Sequence, residues 1–386
     1  MNKDKHVFAQ MTEYLDYPKF RRLVRKYRGD SYVKRFTCWN QLLTLMFGQL
    51  SGRESLRDLV TVLEAHQSKC YHLGLGDRPA SRNAVSLANQ PRDCRIFEEF
   101  ASFRMEEAGR ECAEDVFGLG GNVYAFDSTT IPLCLPLFPR ARFRRHKGRA
   151  KAHVLYDLET HVPSFYHITA ASAHDSKAMP TIPYETGSHY VFDRGCNAFA
   201  GLHCINRLES FFIVMAKQNL KSRCVRWRRR LPKDVLGDAE IVFTEEASFK
   251  KNEKLRQVRF HDKEQDRDLA FLTNAFGLPA LKVAGLYRSR WQVELFFRWL
   301  KQHLRIKKFW GTTENAVRIQ VGVAIAVFCL VAIVRKKLGI MRSAYEMLQI
   351  LSVSLTDKTS VRELFERSEL SLPEAQGTPF LPGFFD

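Results

Sequence analysis

The sequence predicts an α/β protein built on a mixed sheet, preceded by a helical region and interrupted by a β-rich insertion. Three observations carry this. Helical apolar spacing gives way to strand alternation just after Gly118, Gly120 and Gly121. Three strand-like runs then follow in succession, and after them a helix, a strand, a helix and a strand, an order that suits a mixed sheet better than a strict βαβ repeat. Further alternating segments, separated by charged turns, precede the return of helical spacing near residue 279. The implied organisation is a helical N-terminal domain over 1–117, a core over 118–217 and 279–338, the insertion over 218–278, and a C-terminal helical region with a tail over 339–386.

The elements follow in order. Residues 19–28 (KFRRLVRKYR) are dominated by Lys and Arg. Amphipathic helices are expected over 38–50 and 54–67, joined by a turn at Ser51 and Gly52, with further helices after Ser81 and over 92–112. A small helical module with basic helices suits DNA ends or a dimer contact; a merely solvated basic face is the plainer alternative. In 122–127, Val123, Ala125 and Asp127 share one face of a strand. An acid-free basic stretch, 140–151, includes Arg145 and Lys147. Strands are expected over 152–158, 164–169, 190–193 and 211–216, a short helix starts at His174, Asp175 and Ser176, and a longer helix covers 197–208. The insertion contributes strands over 239–244, 254–261 and 268–273. Residues 287–308 read as one amphipathic helix and 314–337 as a core helix, with an irregular tail from 372.

Composition narrows the function. The 386 residues are 45% hydrophobic and 26% charged, as in ordinary folded proteins. The net charge of +18 is not ordinary and points to a polyanion, nucleic acid before an anionic membrane. The 9 cysteines occur singly with no CxxC pair, which argues for reduced thiols in a cytoplasmic protein and against a zinc or redox site. No apolar signal core opens the chain. The apolar run 321–334 falls short of the roughly 20 residues that span a bilayer, so no membrane partner is expected.

Two carboxylates stand at the ends of apolar strands, Asp127 in VYAFDST and Asp193 in YVFDRG. A third, Glu294, lies on the helix 287–308. On that one helix Tyr287, Arg290, Glu294 and Lys301 share an arc of about 60°, flanked by bulky apolar residues. Each piece has a plain reading: Arg290 and Glu294 form an i, i+4 ion pair, Asp127 caps the Ser-Thr turn, and Asp193 opens the Arg-Gly turn. Together, three hard oxygen donors without a His or Cys cluster suit Mg²⁺, with Mn²⁺ as a substitute. Two such ions would activate water or a 3′-hydroxyl and stabilise the leaving oxygen of a phosphoryl displacement.

The spacing Y-x2-R-x3-E-x6-K over 287–301, with FDST at 126–129 and FDRG at 192–195, resembles the signature of the insertion-sequence-4 family of bacterial transposases. The resemblance covers roughly 120–335 and includes both aspartates and all four signature positions. It implies a ribonuclease-H-like core and two divalent ions held by Asp127, Asp193 and Glu294. It also implies cut-and-paste movement of a DNA element by a synapsed homodimer acting on terminal inverted repeats and target DNA. Tyr287, Arg290 and Lys301 would hold phosphates at the element's end. Relatives of this type pass through a DNA hairpin and hold a flipped base on an aromatic residue of the insertion. Trp227, among the arginines of 221–230, is the candidate here; its alternative is a Trp shielding the insertion's core. The basic stretches 140–151, 217–233 and 298–308, the last containing Arg298, flank the carboxylates in sequence and suggest a DNA channel. His174 and Asp175 are read as a helix N-cap before a metal contribution. Rival readings are a ribonuclease-H-like nuclease that only hydrolyses DNA, a non-catalytic domesticated DNA-binding regulator and, last, an RNA-binding scaffold.

Overall fold

Side-chain oxygens start most of the early helices. The computed structural model describes residues 4–132, 149–196, 199–217, 220–244, 253–303, 310–311 and 313–366. After α1 (Val7–Thr12), Asp16 caps α2 (Tyr17–Lys26) by accepting from the Lys19 N–H at 2.7 Å. Thr37 and Asn40 form a capping box at α3 (Cys38–Leu50), and Ser55 caps α4 (Leu56–Ala65). Ser81 caps α5 (Arg82–Ala88), and α6 (Arg95–Glu111) follows. Nearly all of α3 is buried, and Gln41, Thr44 and Gln49 are buried along with its apolar residues.

Gly118 and Gly120 take left-handed backbone angles at the change from helix to strand. At Gly121 any Cβ would lie 2.3 Å from the Gly187 carbonyl, so only glycine fits beside that chain. Among the described residues nine strands then form one sheet: β1 (Val123–Pro132), β2 (Arg149–Asp157), β3 (Pro163–Ala170), β4 (His189–Phe192), β5 (Phe211–Met215), β6 (Ser222–Trp227), β7 (Val235–Phe243), β8 (Leu255–Asp262) and β9 (Arg267–Thr273). Their order is β3-β2-β1-β4-β5-β9-β8-β7-β6. Strands β1, β4 and β5 are parallel, while β5 and β9 pair antiparallel. The sheet is therefore mixed, as expected, and the insertion's strands extend it through the β5–β9 pair. The fully buried runs of β1, β4 and β5 are continuous apolar sequence, as parallel strands covered on both faces require. Tyr124, Phe126, Tyr190, Phe192 and Phe212 anchor this core.

Helix α7 (Phe199–Arg207) joins β4 to β5. Where one helix was expected over 287–308, there are two, α8 (Ala280–Ser289) and α9 (Trp291–His303). At the junction the Arg290 N–H bonds to the Tyr287 carbonyl, a tighter i−3 turn. Residues 304–308 lie outside the described residues. Strand β6 was not expected: it is exposed on both faces and shows no inward–outward alternation.

Helix α10 (Glu314–Leu338) has 25 residues and a mean hydropathy of 2.5 in its most apolar window, so by length and composition it passes as a membrane span. That window is 89% buried in protein, against α6 and α3. Thr313 caps its start, and Gly339, in the left-handed region, ends it beside Arg335, Lys336 and Lys337. Helices α11 (Ala344–Ser354) and α12 (Val361–Phe365) complete the described chain, and the tail from 372 lies outside it. Two compact units result. One comprises Met1–Cys112, Ile131–Arg149 and Phe297–Asp386; the other comprises Ala113–Thr130 and Ala150–Phe296.

Candidate active site

Strand order reverses at β1: β2 and β3 lie on one side of it, β4 and β5 on the other. In open α/β sheets ligands bind beyond the carboxyl ends of strands at such a reversal. Phe126 pairs with Phe192 at the last register position of β1 with β4. Asp127 and Asp193 each follow one residue later, where that pairing ends.

Helix α8 brings the next two groups. Tyr287 is 7% exposed, with its ring 4.7 Å from Phe271, and its hydroxyl donates to Asp193 Oδ1 at 3.2 Å. Arg290, at the end of α8, donates through Nη1 to Asp127 Oδ2 and through Nη2 to Glu294 Oε1, both at 2.6 Å. The i, i+4 ion pair expected from the spacing is thus present, and it is one arm of a bridge to Asp127. The α8–α9 break places Arg290 between the strand carboxylate and Glu294 in the first turn of α9.

Charge is unbalanced here. Burial raises the Asp127 carboxyl above its ordinary range, Glu294 and Asp193 add to the rise, and Arg290 and the Ser128 N–H only partly offset it. Burial alone would lower the Arg290 guanidinium, but Asp127, Tyr287, Glu294 and Asp193 hold it above its ordinary value. Burial pushes the Tyr287 phenol up to about 12, with Asp193 contributing. The Arg290 Nε is buried with no hydrogen-bond partner among the described residues. Also among the described residues, no three His, Cys, Asp or Glu side chains stand together as a metal-binding group; the Arg290 guanidinium lies between two of the three carboxylates.

A second cluster adjoins β1. Asp175 accepts from the Ser128 hydroxyl at 2.5 Å and pairs with Lys151 at 2.8 Å, with His153 Nδ1 at 3.3 Å. Burial would raise its carboxyl, yet His153, Lys151 and Ser128 hold it well below the usual range. His153 is fully buried, stacked on Phe126. Sequence reasoning missed this cluster apart from Asp175; a histidine inside the apolar run of β2 was the available signal. His174 does cap the short helical turn, accepting from the Ser176 N–H.

Other expected residues are dispersed. Lys301 stands seven residues after Glu294 on α9 and is half-buried, and Arg298 is exposed on the same helix. Both fall in the other compact unit. Trp227 is 62% exposed on β6, the strand at one end of the sheet. Arg145 and Lys147 lie outside the described residues.

Comparison with known proteins adds the following. The Transposase DDE domain profile matches residues 118–330, and a Domain of unknown function (DUF4372) matches 3–76. A protein of Sinorhizobium fredii named as a transposase is 31% identical over 68% of this chain and 72% of its own length. A Geobacillus stearothermophilus protein named as a transposase for insertion sequence element IS5377 is 30% identical over 53% of this chain and 54% of its own. A third, from Synechocystis and named for insertion sequence element IS4SA, is 24% identical over 68% and 75%. Among solved structures, a piggyBac transposase synaptic complex with hairpin DNA has a TM-score of 0.49 at 10% identity, covering 95% of this chain and 84% of that one. That likeness is too slight to bear on mechanism.

Proposed function

This chain belongs to the DDE transposases of insertion sequences, and from that premise we propose that it binds the terminal inverted repeats of its own element, cuts there and inserts the element into target DNA. The single observation that carries the reading is that one helix end holds all three carboxylates at the strand-order reversal, Asp127 and Glu294 through Arg290 and Asp193 through Tyr287. We read the core as ribonuclease-H-like and the working form as a homodimer that synapses the two ends.

The donor set fits a hard divalent cation. Two carboxylates pair with one guanidinium and Asp193 adds a further negative charge nearby, so the site carries more negative charge than it neutralises, and every donor is oxygen. Asp127, Asp193 and Glu294 would hold Mg²⁺, two ions in this reading. Bound there, they would supply an activated water or 3′-hydroxyl and stabilise the leaving oxygen. The chain's own groups do the rest. Tyr287 fixes the Asp193 carboxylate by its hydrogen bond. Both arms of the Arg290 fork are on Asp127 and Glu294, and in this reading the fork would turn to a phosphate of the DNA end once it leaves those carboxylates. Lys301 offers a point charge further along α9, while Trp227 on exposed β6 offers a face to an extruded base. Arg298, and Arg145 and Lys147 in the basic stretch, serve the backbone.

The test uses a duplex carrying the element's own end. Asp127→Ala, Asp193→Ala and Glu294→Ala should each abolish Mg²⁺-dependent nicking and leave duplex binding largely intact. A variant that still nicks removes its residue from the site. Supplying a pre-cleaved 3′-OH end with target DNA separates a transposase, which yields joined products, from a nuclease that only hydrolyses. Wild-type protein that binds the end without any metal-dependent nicking would support the regulator instead.

A further inference from the structure

We infer that the helical unit carries a phosphate-binding cleft for the DNA backbone, formed by Arg57, Arg82 and the N-terminal turns of α4 and α10. This rests on the transposase reading above and assigns DNA contact to a region whose first part matches only a domain of unknown function.

The cleft encloses about 510 Å³, and its walls come from three helix starts. Ser55, Leu56, Arg57 and Asp58 are the cap and first turn of α4, Arg82 is the first residue of α5, and Ala316 lies in the first turn of α10. Ser55 occupies the Asp58 N–H and Thr313 the Ala316 N–H. The remaining first-turn N–H groups of helices as long as α4 and α10 lack intrahelical acceptors, and their dipoles favour an anion.

Two observations independent of the helix ends point to the same ligand. Arg57 and Arg82 are both exposed, on different helices, and neither makes an ion pair among the described residues, although Asp58 lines the same cleft. In the wall, the Trp310 indole is only 4% exposed, and its N–H is buried with no acceptor among the described residues. A buried donor without an acceptor costs about 1–3 kcal/mol, so an acceptor ligand would relieve it. Two guanidinium forks, an indole N–H and two helix starts offer donors and positive potential, against one lining carboxylate, Asp58. Ser86 and Gln90 add adaptable polar contacts. In a DNA transposase the chemistry that meets this is backbone phosphate, which positions a duplex without reading its sequence.

The experiment measures anisotropy of a labelled duplex carrying the element's own end, titrated with full-length protein without divalent metal over a series of salt concentrations. Arg57→Ala/Arg82→Ala should bind roughly tenfold more weakly, and its log K against log salt should be shallower by about 2, as for two lost phosphate contacts. Arg57→Lys/Arg82→Lys should recover most of the slope. Trp310→Phe, which removes the N–H without changing charge, should weaken binding and leave the slope unaltered. Lys358→Ala/Arg362→Ala, matched in charge and outside the cleft, should stay near wild type. Thermal melts establish that each variant is folded. Equal slopes for wild type and the Arg57/Arg82 double variant would overturn the cleft while leaving the nicking test of the carboxylates untouched. An equal loss in the Lys358/Arg362 variant would also overturn it, because net charge alone would then explain the effect.

Discussion

Arg290 stands where two demands on one site conflict. Its guanidinium is bonded to Asp127 and Glu294 at 2.6 Å each, so it supplies the positive charge that a divalent ion would also bring to those oxygens. In the proposed site, metal and arginine would therefore compete for the same oxygens in the protein without DNA. Arg290→Gln should lower the melting temperature in chelator, because two carboxylates lose a partly buried counter-charge. It should also enlarge the rise in melting temperature on adding Mn²⁺, since the ion no longer displaces a guanidinium. Glu294→Gln should reduce that rise. Cleavage of a DNA end should fall in both variants. A Mn²⁺ response in Arg290→Gln no larger than wild type would show that the arginine does not compete. The identities of these residues were legible because the spacing of Tyr287, Arg290 and Glu294 survives a change in local structure. The bridge itself was not. It depends on a helix break at Arg290, and no proline or glycine between 286 and 303 signals one.

At the level of elements, buried apolar runs announced themselves and exposed ones did not. Residues 123–126 of β1, 190–192 of β4 and 212–214 of β5 are continuous apolar sequence because they are fully covered. Strand β6 mixes Arg223, Cys224, Val225, Arg226 and Trp227 without a buried face, so its sequence read only as a basic stretch. The basic surplus also hid a structural arginine. Arg256 on β8 is 1% exposed and forms a two-pronged pair with Asp238 of β7, at 2.8 and 2.7 Å. It also donates to the carbonyls of Ala275 and Leu278, just before α8. It thereby ties the β7–β8 hairpin to the start of the helix that carries Tyr287 and Arg290. Arg256→Ala leaves buried Asp238 with only the Arg228 guanidinium, at 3.8 Å, and should cost about 3 kcal/mol, read from urea unfolding. Nicking should fall with stability, and Asp238→Asn/Arg256→Met should regain part of the loss. A change within the few tenths typical of exposed cations would place the pair among surface contacts instead.

For the whole molecule, chain order and spatial grouping diverge. The chain passes between its two compact units at 112/113, 130/131, 149/150 and 296/297, so neither unit is a continuous stretch. Local periodicity reports which face of an element is buried but not which element covers it. For that reason α10 was legible as a core helix while its partners were not. It packs on α6 and α3, more than 200 positions earlier in the chain. A shortened chain of residues 118–386, keeping everything that the Transposase DDE domain profile matches, would therefore strip α10 of its cover. Fully burying one Val, Leu, Ile or Phe side chain contributes about 1.5–3 kcal/mol, and α10 buries many of these, including Val321, Ile325, Phe328 and Leu330. Exposed together they form an apolar face of the kind that drives association. The shortened chain should be recovered as aggregate or with detergent, and co-expression with residues 1–117 as a separate polypeptide should return it to solution, with both pieces eluting together on gel filtration. A monodisperse, cooperatively melting 118–386 without that polypeptide would mean that α10 does not depend on α3 and α6, and that the helical unit is an appendage rather than half of the fold.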